Sequence, residues 1–385
     1  MGFDTTSGAS NVVAAEYLAG ELERHGCRVM LQRYTRAGVA KANVVAVAGP
    51  PAAGGLVLSG HLDTVPFAGQ PGWTRDPLAL TTDGDRVYGR GTTDMKIFIA
   101  QCADAAARLD RETLRRPLVL LFTADEEVGC LGAAELAREL PRLLGDTPVP
   151  GLAWIGEPTG WDVFHAHKSV AIFEVRVRGR GGHSGLPEQG VNAIAVAAKA
   201  IEEVGRYQTD LRARPSAAHT AAFPECPYTT LNLGTIRGGS AANVIADECC
   251  FTASSRTLPG EDPLGPYREI ARRLGTLDAR DPGSGGRAEI VVGEPLYVPS
   301  FEAPRGTRLE QALFDVLGRT TSGGALLAAD GCRFAEAGIQ SLICGPGDFD
   351  QAHQPDESIS RAEFERGSEI ILQVIERLLG GRFTH

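Results

Sequence analysis

Ser59 to Pro66 reads SGHLDTVP, and it places His61 and Asp63 two residues apart after a short apolar run, Leu56, Val57 and Leu58. Residues i and i+2 of an extended segment face the same side, so the imidazole has a carboxylate beside it. A carboxylate in that place fixes the tautomer of a ligating histidine and raises its basicity. Alone, such a pair is more often ordinary hydrogen bonding at a strand end. Further donors follow downstream: Asp94 in YGRGTTDMK, Glu126 and Glu127 in TADEEVG, Glu157 in GEPT and His353 in AHQPDE. Taken together, His61, Asp94, Glu127, Glu157 and His353 form a nitrogen and oxygen set that suits Zn²⁺, Co²⁺ or Mn²⁺ better than Mg²⁺ or Ca²⁺. Five donors are too many for one catalytic zinc with an open position. They are right for two ions about 3.5–4 Å apart that share a bridging carboxylate. Glu126 diverges from its neighbour Glu127 and is better placed as the general base on a water molecule. For any one of these acids a solvated loop carboxylate is the plainer reading; for all of them at successive strand tips it is not.

Those donors need a sheet to position them, and the pattern supplies one. A helix is expected through Val12, Ala15, Leu18 and Leu22, capped by Ser10-Asn11. Strands are expected at Arg28–Tyr34, Asn43–Val47, Gly55–Gly60, Pro117–Thr123 and Leu152–Ile155, with a small hairpin turning at Thr82-Asp83-Gly84. Asp94 reads as the start of a helix. Strand, polar tip and helix in repetition is the pattern of an α/β sheet whose ligands gather at the carboxyl ends of the strands. After Lys168 the pattern changes to alternation, as in Val170–Arg178, which suits an antiparallel strand with one exposed face. Helices at 190–205 and 262–277 and strands at 229–236, 244–256 and 288–298 complete an α+β sandwich. The α/β pattern returns with a helix at Leu309–Leu317, a strand at Gln340–Cys344 and a closing helix capped by Ser360 and Glu363. The chain is thus read as a discontinuous α/β domain, residues 1–168 and 300–385, interrupted by an α+β domain at 169–299.

In this order SGHLDTVP, YGRGTTDMK, TADEEVGCLGA, GEPT and AHQPDE resemble the dinuclear zinc amidohydrolases, which include acetylornithine deacetylase, succinyl-diaminopimelate desuccinylase, aminoacylase and related aminopeptidases. The resemblance covers nearly the whole chain and is closest to the acetylornithine deacetylase branch, through HKSVA, HSGLPEQGVNAI and GPGDFDQAHQPDE. It implies a three-layer α/β/α catalytic domain of the zinc-aminopeptidase type and an inserted, ferredoxin-like lid and dimerisation domain. It also implies two zinc ions, with Co²⁺ or Mn²⁺ as possible substitutes. Asp94 would bridge them, His61 and Glu157 would hold one, and Glu127 and His353 the other. Asp63 would orient His61, and Glu126 would shuttle protons. His183, in GRGGHSGLPEQG, would stabilise the oxyanion in a partner subunit's site; its plainer reading is a solvated loop histidine. Asn243 and Arg256 would hold the substrate's α-carboxylate, against the reading of Arg256 as a surface strand residue. The implied reaction is hydrolysis of the amide of an N-acyl amino acid, most simply Nα-acetyl-ornithine, by a homodimer. The alternatives are a dipeptidase, aminopeptidase or desuccinylase on the same centre, or an inactive binding scaffold.

Several features bound these readings. The 385-residue chain is 43% hydrophobic and carries a net charge of −10 with no basic block, which argues against nucleic acid or a membrane surface as partner. Its eight cysteines form no CxxC pair, which suits a reducing cytoplasm. MGFDTTSG lacks the features of a secretory signal, and members of the resembled family carry a further helix ahead of this stretch. Ile97 stands where those members have glycine after DMK. Ala328 and Ala329 replace a hydroxyl, while Asp330 either faces an amine-bearing substrate or closes a turn. GRGGHS fails as a dinucleotide fingerprint because Ser184 takes the third glycine position. His165 and His167 are read as structural, and His25, His219 and His385 have no partner pattern.

Overall fold

A computed structural model describes residues 1–383; His385 lies outside the described residues. The chain forms two compact units, one of Met1–Ala166 with the segment from Phe301 onward, the other of His167–Ser300.

The first unit is built on a mixed nine-stranded sheet. Its centre is four neighbouring parallel strands, in the order Leu118–Thr123, Leu56–His61, Leu152–Ile155 and Gln340–Ile343. Every residue of the first two is buried, because a parallel strand covered by helices on both faces must be apolar on both. Arg28–Arg36 and Val39–Ala48 extend one edge as an antiparallel pair. Helices Val12–Arg24, Lys96–Arg108, Arg308–Leu317 and Arg361–Leu379 form one helical layer, and Leu131–Leu144 with Gly331–Glu336 forms the other. Each turns an apolar stripe inward, as Phe98, Ile99, Cys102, Ala105 and Ala106 do on the second of them. The result is the expected three-layer α/β/α architecture.

Two local expectations change and a third holds. The Asn11 side chain does not cap the first helix; its amide bridges both backbone groups of Ala42 on the neighbouring strand. Asp94 does not open a helix, which begins two residues later at Lys96, because its carboxylate is engaged elsewhere. Ser360 does cap the closing helix, accepting from Glu363 N at 3.2 Å.

The second unit is an antiparallel sheet in the order Thr230–Gly238, Glu248–Arg256, Val170–Arg178 and Glu289–Val292, with Leu296–Val298 also paired to Val170–Arg178. Helices Ala193–Arg212 and Gly265–Thr276 cover one face through Val204, Phe173, Phe251, Ile270 and Leu274. The expected strand at 244–256 is broken. Val244–Ile245 pairs instead with Gly182–His183, and the Ala246 and Asp247 carbonyls accept from Ala193 and Gly179. The strand expected at 288–298 breaks at Gly293, Glu294 and Pro295, where proline cannot donate to a ladder.

Candidate active site

The four central strands point their carboxyl ends the same way, and four candidate donors lie on or just beyond those ends. His61 is the last residue of its strand. Glu127 follows Thr123 by a tight turn in which Asp125 is left-handed, with φ of 58°. Glu157 stands two residues past Ile155, and His353 lies on the loop after Ile343, itself left-handed at φ 63°. Asp94 enters from the loop before Lys96–Arg108.

These residues meet. His61 Nε2 lies 2.8 Å from Asp94 Oδ1. His353 Nε2 lies 3.1 Å from Asp94 Oδ2 and 3.1 Å from Glu127 Oε2. Asp94 therefore offers one oxygen to each imidazole. Donor atoms of His61, Asp94 and Glu157 fall within 4.8 Å of one another, as do those of Asp94, Glu127 and His353. Two triads share one carboxylate.

Two oxygens test whether this arrangement suits metal ions. Glu127 Oε1 and Glu157 Oε1 are buried and have no hydrogen-bond partner among the described residues. Buried carboxylate oxygens without a donor are uncommon, and each of these belongs to a different triad. The electrostatics agree. Hydrogen bonds to Asp94 and Glu127 push the His353 imidazole up to about 10. Burial works against protonation of His61, yet Asp94 still raises it well above the usual histidine range. Burial pushes the Glu157 carboxyl up, and Asp94 adds to the shift. A desolvated anionic cluster of this kind attracts positive charge, and the residues fit a pair of divalent cations.

Around the triads lies a polar frame. His61 Nδ1 is 3.0 Å from the Asp63 carbonyl and 3.7 Å from its carboxylate. That carboxylate accepts instead from Glu126 N at 3.0 Å, Glu127 N at 3.2 Å and Ser7 Oγ at 2.8 Å. Asp63 thus meets His61 chiefly through its backbone and holds the Glu126–Glu127 turn with its side chain. Lys41 Nζ, 3% exposed, pairs with the buried Asp125 carboxylate at 2.6 Å and so secures the residue before Glu126. Burial pushes the Glu126 carboxyl well above the usual range, and Cys130 Sγ donates to it at 3.4 Å. Asp330 opens the Gly331–Glu336 helix through its carbonyl, which accepts from Arg333 N and Phe334 N, while its buried side chain makes no cap: it accepts from the Thr123 hydroxyl and has its donor atom within 4.8 Å of those of Glu126 and Cys130.

His183, Asn243 and Arg256 belong to the second unit. His183 is exposed on the Gly182–His183 strand, and its Nδ1 accepts from Gly185 N at 3.0 Å. Asn243 is close by in the fold, since its carbonyl accepts from Ser184 N at 3.1 Å. Arg256, partly buried, ends the Glu248–Arg256 strand opposite Thr230. His165 and His167 bond to Ser322 and to the Lys168 carbonyl, each at 2.8 Å, as structural histidines do.

Glu357 and Arg90 were not singled out in the sequence. Glu357 is wholly buried; its Oε1 accepts from the backbone of Gly91, Thr93 and Asp94, and its Oε2 lies 2.8 Å from Arg90 Nη1. Their presence in the two ligand-bearing motifs, AHQPDE and YGRGTTDMK, was the available signal.

Comparison with known proteins agrees with this geometry. The chain is 37% identical to an acetylornithine deacetylase of Erwinia tasmaniensis over 87% of its own length and 83% of that protein. It is 36% identical to the acetylornithine deacetylase of Proteus mirabilis over 97% and 92%. Among solved structures, a Staphylococcus aureus tripeptidase shares the fold with a TM-score of 0.75 at 21% identity, covering 98% of this chain and 95% of that one. A Bacillus subtilis protein described as a dinuclear metal binding peptidase aligns with a TM-score of 0.62 at 16% identity, covering 96% and 93%. Residues 57–377 match the family described as peptidase family M20/M25/M40, and the chain belongs to that family.

Proposed function

We propose that this hydrolase cleaves the amide bond of an N-acyl amino acid, with Nα-acetyl-ornithine as the first substrate to try. The observation that carries the reading is the pair of triads joined at Asp94. His61, Asp94 and Glu157 would hold one divalent cation, and Asp94, Glu127 and His353 the other, with zinc the ion that suits the donors best. When bound, such a pair supplies Lewis acidity toward the amide carbonyl and lowers the pKa of water. Glu126 takes the proton from the attacking water and returns it to the departing amine. Its burial raises the carboxyl's affinity for a proton above that of a solvated glutamate. Asp63 fixes the Glu126–Glu127 turn through two backbone N–H groups.

The acyl-amino-acid reading is supported by curated relatives named acetylornithine deacetylase at 37% and 36% identity. His183 is proposed to stabilise the oxyanion from a second copy of the chain, with Asn243 and Arg256 binding the α-carboxylate. A homodimer through the second unit is supported by its edge strand Thr230–Gly238, where Ile236 is 61% exposed. A cytoplasmic setting is supported by eight free cysteines. Among the described residues no helix is long and apolar enough to cross a membrane.

The test is a side-by-side assay of the Zn²⁺- and Co²⁺-loaded protein on Nα-acetyl-ornithine, other Nα-acyl amino acids, Nα-succinyl compounds and dipeptides. Acetylated amino acids should be hydrolysed with the highest kcat/KM; preference for dipeptides would replace this reading with a dipeptidase on the same centre.

A further inference from the structure

The two imidazoles are held very differently. His61 ends a strand buried on both faces, whereas His353 lies on a loop with its side chain 47% exposed and its backbone left-handed. A left-handed non-glycine residue persists only where its surroundings hold it. The holder is traceable. The His353 carbonyl accepts from Gln70 Nε2 at 2.8 Å. Gln70 Oε1 in turn accepts from Arg90 Nη2 at 2.6 Å and Trp73 Nε1 at 3.0 Å. Arg90 is 1% exposed and pairs with Glu357, whose other oxygen receives the Asp94 N–H at 3.0 Å. An unbroken path of hydrogen bonds therefore runs from the backbone of Asp94 to the backbone of His353, and Gln70 is its last link.

We infer that Gln70 is a positioning residue for the second cation site: it sets where the His353 imidazole stands relative to Asp94 and Glu127. The amide is needed for a chemical reason. One group must accept from Arg90 and Trp73 and also donate to a carbonyl, and among side chains of this size only glutamine does both. A carboxylate at position 70 keeps the two accepted bonds and loses the donated one. The loop does not depend on Gln70 for its existence, because the Asp356 carboxylate separately binds Thr74 N at 2.9 Å and Arg75 N at 3.3 Å. Loss of the Gln70 link thus loosens His353 without freeing the loop. The effect falls chiefly on the triad that contains His353, since the Gln70 amide bonds directly to that residue and reaches the shared Asp94 only through Arg90 and Glu357.

This inference rests on the reading of the two triads as cation sites. Its test is titration of metal-free wild-type, Gln70→Glu and Gln70→Met protein with Co²⁺, followed by absorbance and calorimetry, with thermal unfolding of each metal-free protein. Wild type should bind two ions. Both variants should bind the first with wild-type affinity and the second at least about tenfold more weakly, at an unchanged metal-free melting temperature. The Gln70→Glu result is the stricter one, because the added negative charge by itself favours cations. Wild-type affinity at both steps, equal weakening of both, or a melting temperature lowered in both variants would overturn the positioning role. Fewer than two ions on the wild type would overturn the triad reading itself.

Discussion

Glu126 is the residue on which turnover should depend most. It lies beside the two triads and belongs to neither, so its removal separates chemistry from metal binding. Glu126→Gln should lower kcat by about three orders of magnitude, with two ions still bound by metal analysis; a rate within tenfold of wild type would take the proton shuttle away from this residue. His183→Ala should reduce kcat more than it changes KM and leave metal content alone, as initial rates over a range of substrate concentration will show. That the five donor side chains would meet was legible, because their types and their recurrence around strand tips told the same story. Asp63 was only half legible: spacing put it beside His61, but its carboxylate serves the backbone of Glu126 and Glu127. Strand periodicity gives the side on which a group emerges and is silent about which donors crowd there.

At the scale of elements, the site depends on how closely strand tips pack. A Cβ at Gly345 would stand 2.3 Å from the Gly156 carbonyl and 2.5 Å from that of Glu157, backbone atoms that cannot swing aside. Gly345→Ala should therefore displace the Glu157 tip, costing about 1–3 kcal/mol in urea unfolding and weakening uptake of the ion that Glu157 holds. The turn before Glu126 has a different support. Lys41→Met leaves the Asp125 carboxylate buried with only Arg36 at 3.5 Å, and breaking a buried pair from one side costs about 3–5 kcal/mol. Equilibrium unfolding at neutral pH measures it, and Lys41→Arg should recover part of the loss. The buried parallel strands were plain in the sequence, since LVLLFT and LVLSGH leave little else to be. The break at Ala246-Asp247 was not: there the backbone carbonyls find partners at Ala193 and Gly179, and residue type does not announce that. The Glu357–Arg90 pair escaped for a related reason: its members lie in motifs far apart in the chain, each plausible as a solvated charge.

For the molecule as a whole, the buried acids make cation binding part of folding. Chelation should lower the urea midpoint and the melting temperature, because ligands that bind only the native state add about 4 kcal/mol at a free concentration a thousand times Kd. Restoring Zn²⁺ or Co²⁺ should reverse the change. The largest feature of the architecture, one unit inserted into another, was readable as a change from buried runs to alternation at Val170. A further consequence follows from how the first unit closes behind the insertion. The strand that leaves it, Val163–His167, neighbours the strand that returns, Phe301–Glu302, and Ala303 N reaches the His165 carbonyl at 2.7 Å. The host is thus knotted shut at the neck of its guest, and the guest's length is nearly irrelevant to the host's own closure. Such a junction works as a socket: a short turn, or an unrelated module with its ends close together, should seat there and leave the metal-binding scaffold to assemble as before.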